Sequence, residues 1–191
     1  MFLGEPNDAQ ARAYFDDICA KEDYVSNFNR AWAWRADLAR AFVALRMQLM
    51  ERTTLTEREL ALLVCTTART IGDSYCSLAW GSKLATLTSA AVAADVLRGA
   101  HASALTTREA ALERWAEQVV RDPNGTTEQH IETLRRAGFD EREIFEATAF
   151  VGFRLAFSTI NDALGARPDH QLVDAAAPEV RAAVTYGRPP D

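Results

Sequence analysis

Chemistry in this 191-residue chain concentrates in one stretch, Ile71-Gly72-Asp73-Ser74-Tyr75-Cys76-Ser77-Leu78-Ala79-Trp80-Gly81. Gly72 permits a sharp turn and Asp73 or Ser74 suits a helix N-cap, so Cys76 falls in a first helical turn. Free backbone N–H groups and the positive end of the helix dipole favour a thiolate there, the form of cysteine that acts as a nucleophile. Tyr75 beside it offers a hydrogen bond or a proton. Trp80 and Lys83, spaced i and i+3, would line a pocket over the sulfur, with Lys83 drawing in an anionic substrate. Each feature has a plainer alternative. Unpaired cysteines are commonly small buried core residues, and a Trp–Lys pair is commonly a packed indole beside a solvated ammonium.

The elements that must position these residues read as helices throughout. Residues 8–23 form a weaker first segment. Asn27 opens a long one, with Phe28, Ala31, Trp32, Leu38, Ala39, Phe42, Leu45 and Leu49 recurring every three or four positions. Thr56-Glu57-Arg58-Glu59 matches a capping box and starts a helix that Gly72 breaks. Further helices are expected over 74–86, 89–98 (ended by Gly99), 106–121, from a Thr126-x-x-Gln129 cap to Gly138, and from Asp140-x-x-Glu143 to about Gly165. No convincing alternating strand occurs. The expected organisation is an N-terminal helical extension (1–26), a helical domain (27–166) and a Pro-containing tail (167–191), extended apart from a short helix near 179–185.

Two octapeptides echo each other. Residues 55–62 (Leu-Thr-Glu-Arg-Glu-Leu-Ala-Leu) and 105–112 (Leu-Thr-Thr-Arg-Glu-Ala-Ala-Leu) agree at six of eight positions, fifty residues apart. Two helix starts that need the same caps would produce this, and so would a duplicated hairpin. The echo bears on Glu59, which reads either as a proton relay to Cys76 or as the carboxylate of its own capping box. Glu109 holds the equivalent place with no cysteine after it.

Composition narrows the function. With 27 acidic and 21 basic residues, a net charge of -6 and no Lys/Arg cluster, a nucleic-acid partner is not expected. No apolar run approaches the roughly 18 residues of a membrane span, and the N-terminus does not read as a signal peptide. Cys19, Cys65 and Cys76 do not suggest a disulfide framework, so a cytoplasmic location is expected. His101, His130 and His170 lack ligand spacing with any cysteine, so no metal is expected. The helix over 140–165 is apolar on more than one side, through Ile144, Val151 and Leu155 and through Phe150, Phe153, Phe157 and Ile160. That pattern predicts a helix central to the bundle and shared with a second copy in a homo-oligomer.

Taken in order, these elements resemble a known family. The Leu55-Thr56-Glu57-Arg58-Glu59 helix start, the Gly72 turn, the Cys76 helix, the Thr106-Thr107-Arg108-Glu109 start, the Arg121-Asp122-Pro123 turn, Leu134-Arg135-Arg136-Ala137-Gly138-Phe139 and the final Asn161-Asp162-Ala163-Leu164-Gly165 look like alkylhydroperoxidase D-type members of the carboxymuconolactone decarboxylase superfamily. The resemblance spans residues 28–165. It implies an all-α bundle of about six to eight helices, oligomeric. Active members carry Cys-x-x-Cys-x-x-x-His with a glutamate on the preceding helix. Carried over, the second cysteine is Cys76, the first falls on Asp73 and the histidine on Trp80. Tyr75 lies between the cysteine positions, and Glu59 or Glu57 takes the glutamate's place.

The departures set what chemistry is open. Asp73 cannot resolve a sulfenic acid, and its charge opposes a thiolate at Cys76. Cys65 would resolve it only if the two Cα atoms came within about 4.4–6.8 Å. Three readings follow. One is a cofactor-free, single-cysteine peroxidase with Cys76 as nucleophile, Tyr75 and Glu59 as proton handlers, and an external thiol as reductant. Another is a cofactor-free lyase for a small carboxylate, with Asp73 or Glu59 as acid/base and Lys83 or an arginine as anchor. The third is a non-catalytic helical oligomer that binds a small molecule or a protein.

Overall fold

The computed structural model describes residues 1–100 and 103–190; His101 lies outside them. Every regular element among the described residues is helical: α1 (Ala9–Cys19), α2 (Asn27–Trp32), α3 (Ala36–Glu51), α4 (Glu57–Ile71), α5 (Ser74–Leu87), α6 (Ala90–Arg98), α7 (Thr107–Arg121), α8 (Glu128–Arg136), α9 (Glu141–Ala163), α10 (His170–Ala175) and α11 (Pro178–Ala183). No helix is long and apolar enough to cross a membrane.

The capping boxes form where expected. The Glu59 N–H donates to Thr56 Oγ1 at 3.2 Å and the Thr56 N–H returns to Glu59 Oε2 at 2.8 Å, with the same pair of bonds at Thr106 and Glu109. At α8 the cap moves one residue on: the Thr127 N–H donates to His130 Nδ1 at 3.0 Å. Thr126 is instead spent on the preceding turn, its hydroxyl donating to the Pro123 carbonyl. The long segment from Asn27 is also interrupted. A 3-10 turn over Ala33–Arg35, with Arg35 at φ -143° and ψ 67°, separates α2 from α3. The bend lets Ala33 and Ala36 bury against Ala11 and Tyr14 of α1, while the Trp32 indole N–H donates to Asn161 on α9 at 2.8 Å.

The echoed octapeptides meet. Arg58 on α4 hydrogen-bonds Glu109 on α7 at 3.1 Å, and Arg108 on α7 hydrogen-bonds Glu59 on α4 at 2.6 Å. Each arginine thus pairs with the glutamate of the other copy, and the two helix starts share one reciprocal ionic joint. Arg108 extends it to Glu143 at 2.7 Å and lies over the Phe139 ring.

Helix α4 is the centre, buried from Glu59 to Ala68. One face, with Leu60, Leu63 and Val64, packs on Leu112 and Trp115 of α7 and Phe150 of α9. The other, with Ala61, Leu62 and Cys65, meets Leu84, Val96, Leu97 and Val180. A third cluster joins α1 to Trp32, Phe42 and Phe157. Helix α9 turns much of its apolar surface inward, leaving Phe145 and Ile160 exposed. Helix α3 buries only Ala36 and Ala39 and exposes Leu38, Val43, Leu45 and Met47. The exposed apolar side chains of α3 fall on two sides of the helix, Leu38 with Leu45 and Val43 with Met47.

The tail is more ordered than expected. It forms α10 and α11, with Val180 wholly buried among α5 and α6 residues, and then straps the start of α5. Ser74 Oγ donates to the Arg188 carbonyl at 2.7 Å, and Tyr186 pairs with Ser77 at 2.9 Å. Gly187, at φ +74°, approaches so closely that a β-carbon would lie 2.4 Å from the Gly72 carbonyl oxygen.

Candidate functional site

Gly72, at φ +77°, ends α4 in the left-handed conformation that glycine adopts without strain, and Asp73 then caps α5. Asp73 Oδ1 accepts the Cys76 N–H at 2.9 Å, so the sulfur sits in the first turn, as the sequence indicates. It is buried at 2% exposure. Two groups from α9 reach it: Arg154 Nη2 donates to Sγ at 3.0 Å and Ser158 Oγ at 3.6 Å. The Arg154 guanidinium, itself 2% exposed, lies 5.4 Å from the Trp80 ring and 5.0 Å from the Phe157 ring. Among the described residues no carboxylate forms a salt bridge with it.

Burial pushes the Cys76 thiol up to about 12; the Arg154 charge pulls it down, and the neighbouring Asp73 carboxylate pushes it up again. The resting group is a neutral thiol, within reach of Asp73 as a proton acceptor and of Arg154 as a charge partner. Asp73 is fully buried, and its Oδ2 has no hydrogen-bond partner. Burial, and then the Asp73 charge, push Asp162 on α9 up to about 7.

That shift makes a prediction. The folded chain holds the Asp162 proton more tightly than the unfolded chain, whose ordinary value is 3.8. Its contribution to stability is therefore complete below about pH 4 and is lost as pH rises through about 7. Asp162→Asn removes this loss. Its stability relative to the parent should rise by about 1–2 kcal/mol from pH 5 to pH 8, after discounting for solvent screening of a half-exposed group. Urea denaturation at the two pH values measures it; parallel pH dependence in both proteins would refute the assignment.

The structure brings Cys76, Asp73 and Trp80 together. Tyr75 turns away, hydrogen-bonding Asp169 and meeting Phe28 edge-on at 5.6 Å. Burial, then that bond, raise its phenol well above the ordinary range. Glu59 is held by its capping box and by Arg108, and Glu57 pairs with the exposed Lys83 at 2.9 Å. Lys83 therefore does not stand over the sulfur. Cys65 and Cys76 are both free thiols and lie in separate core clusters. No group of three or more His, Cys, Asp or Glu able to hold a metal occurs among the described residues.

The sequence does not single out Arg154 and Ser158, which reach the sulfur, or Arg46 on α3, whose Nε is buried without a hydrogen-bond partner. A signal exists for the arginines. Arg154 is the sole charged residue between Ala147 and Asn161, and Arg46 the sole one between Ala41 and Met50. A lone arginine in a long uncharged run has been drawn into the interior or toward a cavity.

No family model matches the sequence, and no curated protein matches it. Solved structures do. An uncharacterized peroxidase-related protein from Ralstonia eutropha JMP134, described as an alkylhydroperoxidase AhpD core, superposes with a TM-score of 0.76 at 22% identity, over 98% of this chain and 97% of that one. The chain has the alkylhydroperoxidase D core fold. A peroxidase-related protein from Silicibacter sp. TM1040 shares that fold at TM-score 0.80 and 21% identity, covering 90% and 93% of the two chains. A cysteine variant of the debrominase Bmp8, in complex with 2,3,4-tribromopyrrole, follows at 0.67 and 16%, covering 92% and 90%. On this alkylhydroperoxidase D core a cation, Arg154, reaches the Cys76 sulfur from α9.

Proposed function

We propose that this protein is a cofactor-free thiol redox enzyme of the alkylhydroperoxidase type, with Cys76 as its single reacting cysteine. The carrying observation is the 3.0 Å contact between Arg154 Nη2 and Cys76 Sγ. A guanidinium does not deprotonate, and a buried charge without a counter-charge is costly. In the reacting form the anion beside Arg154 is the thiolate, formed as the proton passes from the resting thiol to Asp73. The thiolate attacks one peroxide oxygen, the O–O bond breaks, and the leaving alkoxide takes the proton back, giving an alcohol and a Cys76 sulfenic acid. One external thiol then condenses with the sulfenic acid, releasing water, and a second displaces Cys76 from the mixed disulfide. The net balance is one hydroperoxide and two thiols to one alcohol, one water and one disulfide. The peroxidase-related proteins of the same fold support this reading at the level of scaffold.

The test is hydroperoxide consumption coupled to a small dithiol. The parent should turn over, and Cys76→Ser should lose all of that rate; an unchanged rate in the variant sinks the proposal. The burial of Cys76 favours a second reading, a binding scaffold without chemistry. Iodoacetamide labelling of Cys76 no faster than global unfolding would support that one.

A further inference from the structure

A cavity of about 420 Å³ lies between α1, α2, α3 and α9, within the size range of small-molecule sites. Its wall is aromatic: Phe28, Phe42 and Phe157 line it, with Phe28 and Phe157 5.3 Å apart edge-on and Phe42 and Phe157 stacked at 6.3 Å. Most charges on the wall are answered. Arg40 hydrogen-bonds Asp17 at 2.6 Å, and the chain neighbours Lys21 and Glu22 carry opposite charges. Arg46 is different. It has no hydrogen bond or ion pair with any described residue, and its Nε is buried without a partner. Behind the wall the Phe157 ring packs on Arg154, whose Nε is likewise buried and unpartnered. Burial, and then repulsion from Arg154, lower Arg46 from its ordinary value. Arg46 and Phe157 line the same cavity, Arg154 packs on the Phe157 ring, and neither arginine has an ion pair with a carboxylate among the described residues.

We propose that this cavity binds an organic acid with a flat apolar body, stacked among Phe28, Phe42 and Phe157, its negative charge on Arg46. The aromatic faces supply apolar area and orientation, and the planar guanidinium matches a carboxylate with two parallel hydrogen bonds. Phe157 separates the bound acid from the Arg154–Cys76 pair. The binding stands on the cavity alone and goes beyond the redox reading above, since neither Cys76 nor Arg154 lines this cavity.

Calorimetric titration of the Cys76→Ser protein with phenylacetate, and with uncharged phenylacetamide, tests the binding apart from any turnover. Phenylacetate should bind one to one, and phenylacetamide at least about tenfold more weakly, the scale of one charged hydrogen-bonded pair. Arg46→Gln should weaken phenylacetate about tenfold with an unchanged melting temperature, and Arg46→Lys should recover part of the loss. Equal binding of acid and amide, an unchanged Kd in Arg46→Gln, or no phenylacetate binding at millimolar concentration overturns the proposal. Saturable acid binding by a protein that consumes no peroxide supports the site and removes only the redox reading.

Discussion

Arg154→Met is expected to remove about 100-fold or more of the hydroperoxide consumption while leaving the protein as stable as before or more so. The two halves have separate causes. Arg154 is buried, and among the described residues its side chain hydrogen-bonds Cys76 alone and forms no ion pair with a carboxylate. Since the resting partner is a neutral thiol, its removal strands no opposite charge. Replacing buried ionic groups by apolar side chains of similar volume is often neutral or stabilising, by about 1–4 kcal/mol. Methionine is unbranched and fits the slot between Trp80 and Phe157.

Catalysis has no such slack. Burial already holds the Cys76 thiol near 12 and Arg154 is the main group opposing it. Without Arg154 the thiol is held higher still, and losing one charged hydrogen bond of about 3 kcal/mol leaves about 100-fold less thiolate. Measuring kcat/KM for a hydroperoxide beside urea denaturation reads both halves. Activity within about threefold of the parent would show that Arg154 does not serve the sulfur. A stability loss above about 2 kcal/mol would make it a structural residue instead.

Phe150→Ala should be the most damaging apolar truncation, costing about 3–5 kcal/mol. Phe150 is 1% exposed at the meeting of α4, α7 and α9, and is the largest of the fully buried side chains. Truncation forfeits the transfer of the ring and leaves a cavity that two rigid helices cannot close. For a chain of this size the melting temperature should fall by about 6–20 °C. Phe145, five positions earlier on the same helix, is 70% exposed and is the internal control. Phe145→Ala should change stability by no more than about 0.5 kcal/mol. A loss below about 1 kcal/mol for Phe150→Ala would mean that the core is not assembled around it.

Local chemistry was legible from residue order because its range is short. The boxes at Thr56, Thr106 and Asp140, the break at Gly72 and the cap at Asp73 each involve partners within four positions, and each lies where the spacing predicts. So does Cys76 in the first turn of α5. The alkylhydroperoxidase D core was legible too, because the succession of helix starts and stops determines which helices exist and in what order. The echo at 55–62 and 105–112 read as shared capping signals or as a duplication. Only the fold showed that the two copies clasp each other through Arg58–Glu109 and Arg108–Glu59.

What faces the sulfur was decided by packing. Arg154 and Ser158 come from 78 and 82 residues away, and no local rule links them to Cys76. The same packing takes Tyr75 to Asp169, 94 positions on, and commits Glu59 to Arg108, 49 positions on. Sequence order determined the helices, their caps and the place of the thiol on one of them. The tertiary structure determined its neighbours, because a side chain's partner across a helix interface depends on the rotation and register of two packed cylinders, and those follow from the whole core at once.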